Sequence, residues 1–109
     1  MIVDPAQAIQ CFIADPTLDR RNEVVTAYRY LCIRGAKKFA RPESDRADLE
    51  QVAAIGLIKA CNYYNASFDT PFEAYAWMMI VGELMHYVRD HERSCAAATL
   101  ASVARTPVS

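Results

Sequence analysis

The chain has 109 residues, 53% hydrophobic and 23% charged, with a net charge of −1. That is enough apolar material for one small soluble core, and too little positive charge to draw the whole chain onto nucleic acid. A membrane span is excluded too: it needs about 20 consecutive apolar residues, and the uncharged run in the most aromatic stretch covers only Ala74 to Gly82.

Few glycines and few β-branched runs point to an all-α chain. The first helix is predicted over Asp4 to Ala14, closing at Asp15-Pro16, where proline restricts the residue before it. Asp4 and Pro5 also stand where a secretory leader would place basic and then apolar residues. A long second helix is predicted from Leu18 to Ala40, with Val24, Val25, Tyr28, Leu31 and Cys32 at helical spacing and Gly35 as its weak point. The third, Arg46 to Tyr64, follows a cap at Ser44 or Asp45 and stops in the turn formers after it. The fourth opens at Thr70-Pro71-Phe72-Glu73, where Thr70 caps, Pro71 suits the first helical position and Glu73 completes a capping box. It should run to about Arg93. Residues 94–109 then read as a tail or frayed helix end, leaving one domain over 1–93: a compact bundle of about four helices.

Cys11, Cys32, Cys61 and Cys95 are scattered without a C-x-x-C pair. They read as reduced thiols of a cytoplasmic protein rather than a disulfide or zinc framework. Glu83 and His86 have E-x-x-H spacing, but a bundle metal site needs matching pairs on other helices, and His91 is the chain's one other histidine. No nucleophile–base set, phosphate loop or convergent carboxylate pair is visible. No enzymatic activity, metal or cofactor is expected.

On a helical wheel of about 100° per residue, Leu49, Val52, Ala53, Gly56, Leu57, Ala60, Tyr63 and Tyr64 form the core stripe of the third helix. Gly56 there suggests a closely packed neighbour, since glycine costs a helix about 1 kcal/mol against alanine. Asp48, Gln51, Ile55, Ile58 and Asn62 face the other way, either as a docking surface or as ordinary exposed residues. In the fourth helix Trp77, Ile80, Val81, Leu84 and Val88 point to the core. Phe72, Tyr75 and Met79 line up above Glu83, His86, Arg89 and Asp90. An aromatic group running into a polar strip suits stacking of unpaired bases; cover by a further helix, such as Asp4 to Ala14, is the other reading.

Taken together, "DLEQVAAIGLIKACNYYN" and "FEAYAWMMIVGELMHYVRD" resemble region 2 of bacterial sigma factors, closest to the alternative factors of the stress and sporulation group. Asp48-Leu49-x-Gln51-Val52, Ile55-Gly56-Leu57-Ile58-Lys59-Ala60, Phe72-x-x-Tyr75-Ala76, Ile80-Val81-Gly82-Glu83 and Tyr87-x-Arg89-Asp90 carry the likeness, with "LCIRGAKKF" upstream. The resemblance covers roughly residues 20 to 92 and implies a helical module with two jobs. Positions matching Asp48, Gln51, Ala54 and Ile58 would dock on the β′ clamp helices of RNA polymerase core, with Ile55 on the same face. Positions matching Phe72 and Tyr75 would capture flipped non-template bases of the promoter −10 element, Tyr75 stacking on an adenine. Met79, His86 and Arg89 are DNA-contact candidates by direction.

The departures are specific. Related factors carry basic residues in the loop before Phe72, whereas no Lys or Arg lies between Lys59 and Arg89. Phosphate contacts dominate the affinity of most nucleic-acid binders, so −10 binding should be weaker than usual for the family. Met78-Met79 replaces a paired tryptophan, Met85-His86 replaces a basic pair, and Val52 and Ala54 replace more polar residues. The stretch leaves no room for promoter-spacer and −35 domains. The alternative is therefore a stand-alone regulator that keeps the docking face, for polymerase core or an anti-sigma factor, without promoter opening.

Overall fold

Pro5 opens α1 (Pro5–Ala14) at the first-turn position where its missing N–H costs nothing. α2 (Leu18–Ala27) is capped by Thr17, whose Oγ1 accepts from the Arg20 amide at 3.2 Å. α3 spans Arg29–Phe39. α4 (Arg46–Tyr63) is capped by Asp45, which accepts from the Ala47 amide at 2.9 Å. α5 runs over Phe72–Arg105. This computed structural model describes residues 4–42, 44–65 and 67–105, and side chains as far as His91. No strand occurs among the described residues, and no helix there is long and apolar enough to cross a membrane.

The long second helix expected from Leu18 to Ala40 is two, so the described residues form five helices rather than about four. The break falls at Tyr28 (φ −102°, ψ 13°), whose carbonyl accepts from the Leu31 amide at 2.9 Å in a tight turn. Two causes combine there. Val24, Val25 and Thr26 are β-branched and weaken the helix locally. The Tyr28 ring, 4% exposed, turns inward to meet Phe72 edge-on at 5.1 Å between centroids. Gly35 does not break α3: a Cβ there would lie 2.8 Å from Leu84 Cδ1 and 3.0 Å from Ile80 Cγ2, so its absence lets α3 approach α5. At the other end, α5 continues to Arg105 instead of stopping near Arg93. Residues 94–105 are rich in alanine and free of glycine and proline, so nothing local ends the helix.

Leu31, Leu49, Leu57, Ile80, Leu84 and Val24 are the largest fully buried side chains, joining α2, α3, α4 and α5 into one core. The closest approach is between α4 and α5. A Cβ on Gly56 would sit 2.8 Å from the Ile80 Cα and 2.9 Å from the Met79 carbonyl oxygen, which are backbone atoms that cannot swing aside. Helix propensity alone would make Gly56→Ala stabilising by about 1 kcal/mol. The overlap reverses the sign, and a net loss of about 1–3 kcal/mol is expected in urea unfolding. The same two helices share an ion pair between Lys59 Nζ and Glu83 Oε1, whose side chains are 46% and 25% exposed. Solvent screens it, so Glu83→Gln should cost under about 1 kcal/mol in the same assay.

Cys32 and Cys61 are buried free thiols, each pushed up to about 11 chiefly by burial. Both stay protonated near neutral pH. Cys11 is half-buried and free; the Cys95 side chain lies outside the described residues.

Candidate docking and nucleic-acid interface

One side of α4 is core and the other is open. Leu49, Ala53, Gly56, Leu57 and Ala60 are buried as their spacing requires, whereas Asp48, Gln51 and Ile55 are exposed and Ala54 and Ile58 half-buried. Ile55 is 48% exposed. The open side borders a groove of about 320 Å³, where Val25, Arg29 and Ile33 of α2 and α3 face Glu50, Gln51 and Ala54 of α4. Tyr63, expected in the core stripe, is instead 67% exposed, and Cys61 takes a buried place. The reason is lateral: α1 and α2 reach the end of α4 on its Cys61 side, away from Tyr63.

The start of α5 is an aromatic cluster. Phe72, expected to contact bases, is only 5% exposed and belongs to the core. Its ring stands edge-on to Tyr28 at 5.1 Å and to Tyr64 at 5.2 Å. The cover that the sequence left open includes the α2–α3 turn, through Tyr28, and the end of α4, through Tyr64. Tyr75 remains half-buried, flanked by Tyr64 at 5.5 Å and Phe68 at 5.6 Å. The Tyr64 hydroxyl donates to the Thr70 carbonyl at 3.0 Å, and the Phe68 amide to the Asn65 carbonyl at 2.9 Å, which fixes the loop between α4 and α5. Burial pushes the Tyr28 hydroxyl up to about 12. Tyr30 is also raised, by burial first and then by its hydrogen bond with Glu73.

Further along α5, half-buried Met79 and exposed His86 and Arg89 share a side with Tyr75. Glu83 is engaged by Lys59, and among the described residues no three His, Cys, Asp or Glu side chains gather as a metal site. Trp77, expected in the core, is only half-buried. The Arg34 guanidinium lies 5.0 Å and the Lys38 ammonium 5.8 Å from its ring centroid, within cation–π range. This pairing was not anticipated. Its one sequence signal is the four-residue spacing of Arg34 and Lys38, which stacks them on one side of α3. Two cations of α3 therefore stand beside α5 at Trp77.

The sigma-70 region 2 family profile matches residues 24–94. Over 70 residues the chain is 37% identical to the RNA polymerase sigma-B factor of Bacillus subtilis (strain 168), covering 64% of this chain and 27% of that protein. It is 31% identical over 70 residues to the RNA polymerase sigma-F factor of Priestia megaterium, covering 64% and 28% of the two chains. Against the RNA polymerase sigma-G factor of Bacillus subtilis (strain 168) it is 37% identical over 84 residues, covering 77% and 32%. The chain thus matches about a quarter to a third of the length of these relatives.

Proposed function

Since the chain belongs to the sigma-70 region 2 family, we propose that it is a transcription-initiation module of the stress and sporulation type with two working faces. Asp48, Gln51, Ala54, Ile55 and Ile58 of α4 dock on the β′ clamp helices of RNA polymerase core. Tyr75, Met79, His86 and Arg89 of α5 receive unpaired non-template bases of the −10 element. Phe72 serves this second face from behind, by holding Tyr64 against which Tyr75 rests. The observation that carries the reading is Ile55, 48% exposed on a helix whose other side is core. About half of that isoleucine is left in water, and covering it gains about 25 cal/mol for each Å² of apolar surface a partner buries.

The DNA half is tested by fluorescence anisotropy of a labelled −10 single strand with polymerase core present. Stacking on Tyr75 is worth about 1–3 kcal/mol, so Tyr75→Ala should weaken binding roughly 5- to 150-fold while leaving a scrambled strand's affinity unchanged. Equal affinity for the two strands, insensitive to Tyr75→Ala, would remove it.

A second reading then stands on its own observation. Tyr75 is already flanked by Phe68 and Tyr64, and no Lys or Arg occurs over residues 60–88. In that case the chain is a regulator that occupies the polymerase clamp, or binds an anti-sigma factor, without opening a promoter.

A further inference from the structure

The net charge of −1 conceals a local excess. Residues 24–42 carry Arg29, Arg34, Lys37, Lys38 and Arg41 and no Asp or Glu, whereas residues 60–88 carry no Lys or Arg. Arg34, Lys37 and Lys38 are exposed along α3. Arg34 and Lys38, four residues apart, both lie over the Trp77 ring of α5, at 5.0 and 5.8 Å from its centroid. Like charges at that spacing repel each other, and neither has a carboxylate partner among the described residues. The ring orders two long side chains in advance, so less freedom is lost when an anion binds them. Beside them a groove of about 310 Å³ is lined by Leu31, Arg34, Pro71, Glu73, Ala74 and Trp77. Glu73, the one carboxylate among these, is engaged by the Tyr30 hydroxyl.

We infer that Arg34 and Lys38, set over Trp77, clamp the phosphates of a single strand whose base Tyr75 receives. They supply the cations that residues 60–88 lack. The strand's path rests on the base-capturing role proposed above for Tyr75; the charge is α3's own. Ala74 and Trp77 lie either side of Tyr75 within one turn of α5, so a short stretch of strand meets both sites. Cations interleaved with aromatic rings suit single-stranded nucleic acid, and the guanidinium fork matches phosphate geometry.

Trp77 is the chain's one tryptophan, so its emission reports on this site. The full chain is titrated with a labelled oligo-dT strand of about 12 nucleotides, from about 50 to 200 mM salt. Anisotropy gives the affinity, and Trp77 emission places the strand. Emission should change saturably, and log K should fall linearly with log salt. Arg34→Met with Lys38→Met should flatten that slope by about 1.4, the share of two single-strand phosphates, and weaken binding at least about tenfold at the lowest salt. Arg34→Lys keeps the charge and should keep the slope. Should the double variant fail to fold, Lys38→Met alone should flatten the slope by about 0.7. An unchanged slope, a Trp77 emission indifferent to the strand, or equally tight binding of poly-glutamate would overturn the clamp. An unchanged slope beside a loss of −10 strand binding in Tyr75→Ala strikes the clamp alone. A flattened slope with −10 binding insensitive to Tyr75→Ala supports the clamp and strikes base capture alone.

Discussion

Phe72→Ala should lower the stability of the fold by about 3–5 kcal/mol, the usual cost of deleting a buried phenyl ring. That is a large share of the roughly 5–15 kcal/mol that holds a small domain together. Phe72 is 5% exposed and stands edge-on to both Tyr28 and Tyr64, with centroids 5.1 and 5.2 Å away. Each such pair adds about 0.5–1.5 kcal/mol beyond area burial. The space left behind should stay open, because Tyr64 is tethered by its hydroxyl to the Thr70 carbonyl and Tyr28 is fixed at the α2–α3 turn. Urea unfolding followed by circular dichroism checks the value. A loss below about 0.5 kcal/mol would mark Phe72 as a surface residue and return it to the nucleic-acid face.

The Ile55→Arg, Ile58→Arg pair is expected to abolish docking on the β′ clamp helices, a loss of at least about 4 kcal/mol if both side chains are anchors. Two guanidinium groups would have to be desolvated where two apolar side chains now stand, and an unpaired buried charge is costly. The fold should tolerate the change. Ile55 is 48% exposed and Ile58 half-buried on the outward side of α4, while Leu57 between them carries the core contact at 0% exposure. Isothermal titration of a β′ clamp-helix hairpin measures the first effect, and urea unfolding of the same variant measures the second. Unfolding in place of lost docking would mean that this side of α4 is core.

Local chemistry made much of this architecture legible. The Asp45 cap lies within a single turn, and the Leu49, Ala53, Gly56, Leu57 and Ala60 stripe follows helical spacing alone. Gly56 was readable as a close approach because nothing else recovers its cost in a helix. Most of the misses required knowing what lies across from a residue. Spacing alone puts Phe72 beside Tyr75, but Tyr28 and Tyr64 arrive from other elements and bury it. The α2–α3 break depends in part on the same Tyr28–Phe72 contact, which the β-branched run at Val24, Val25 and Thr26 does not announce by itself. Trp77 meets Arg34 and Lys38 only because α3 packs beside α5. The extension of α5 is a different case: composition suggested a tail, while the alanine-rich run favours continued helix.

In the proposed function, the open side of α4 is kept for polymerase core. Titrating the ¹⁵N-labelled chain with the β′ clamp-helix hairpin, and following every backbone amide, tests it most directly. Saturable shifts concentrated at Asp48, Gln51, Ala54, Ile55 and Ile58 are predicted, with the far side of α5 quiet. Shifts absent at saturating hairpin, or confined to residues outside α4, would contradict the account.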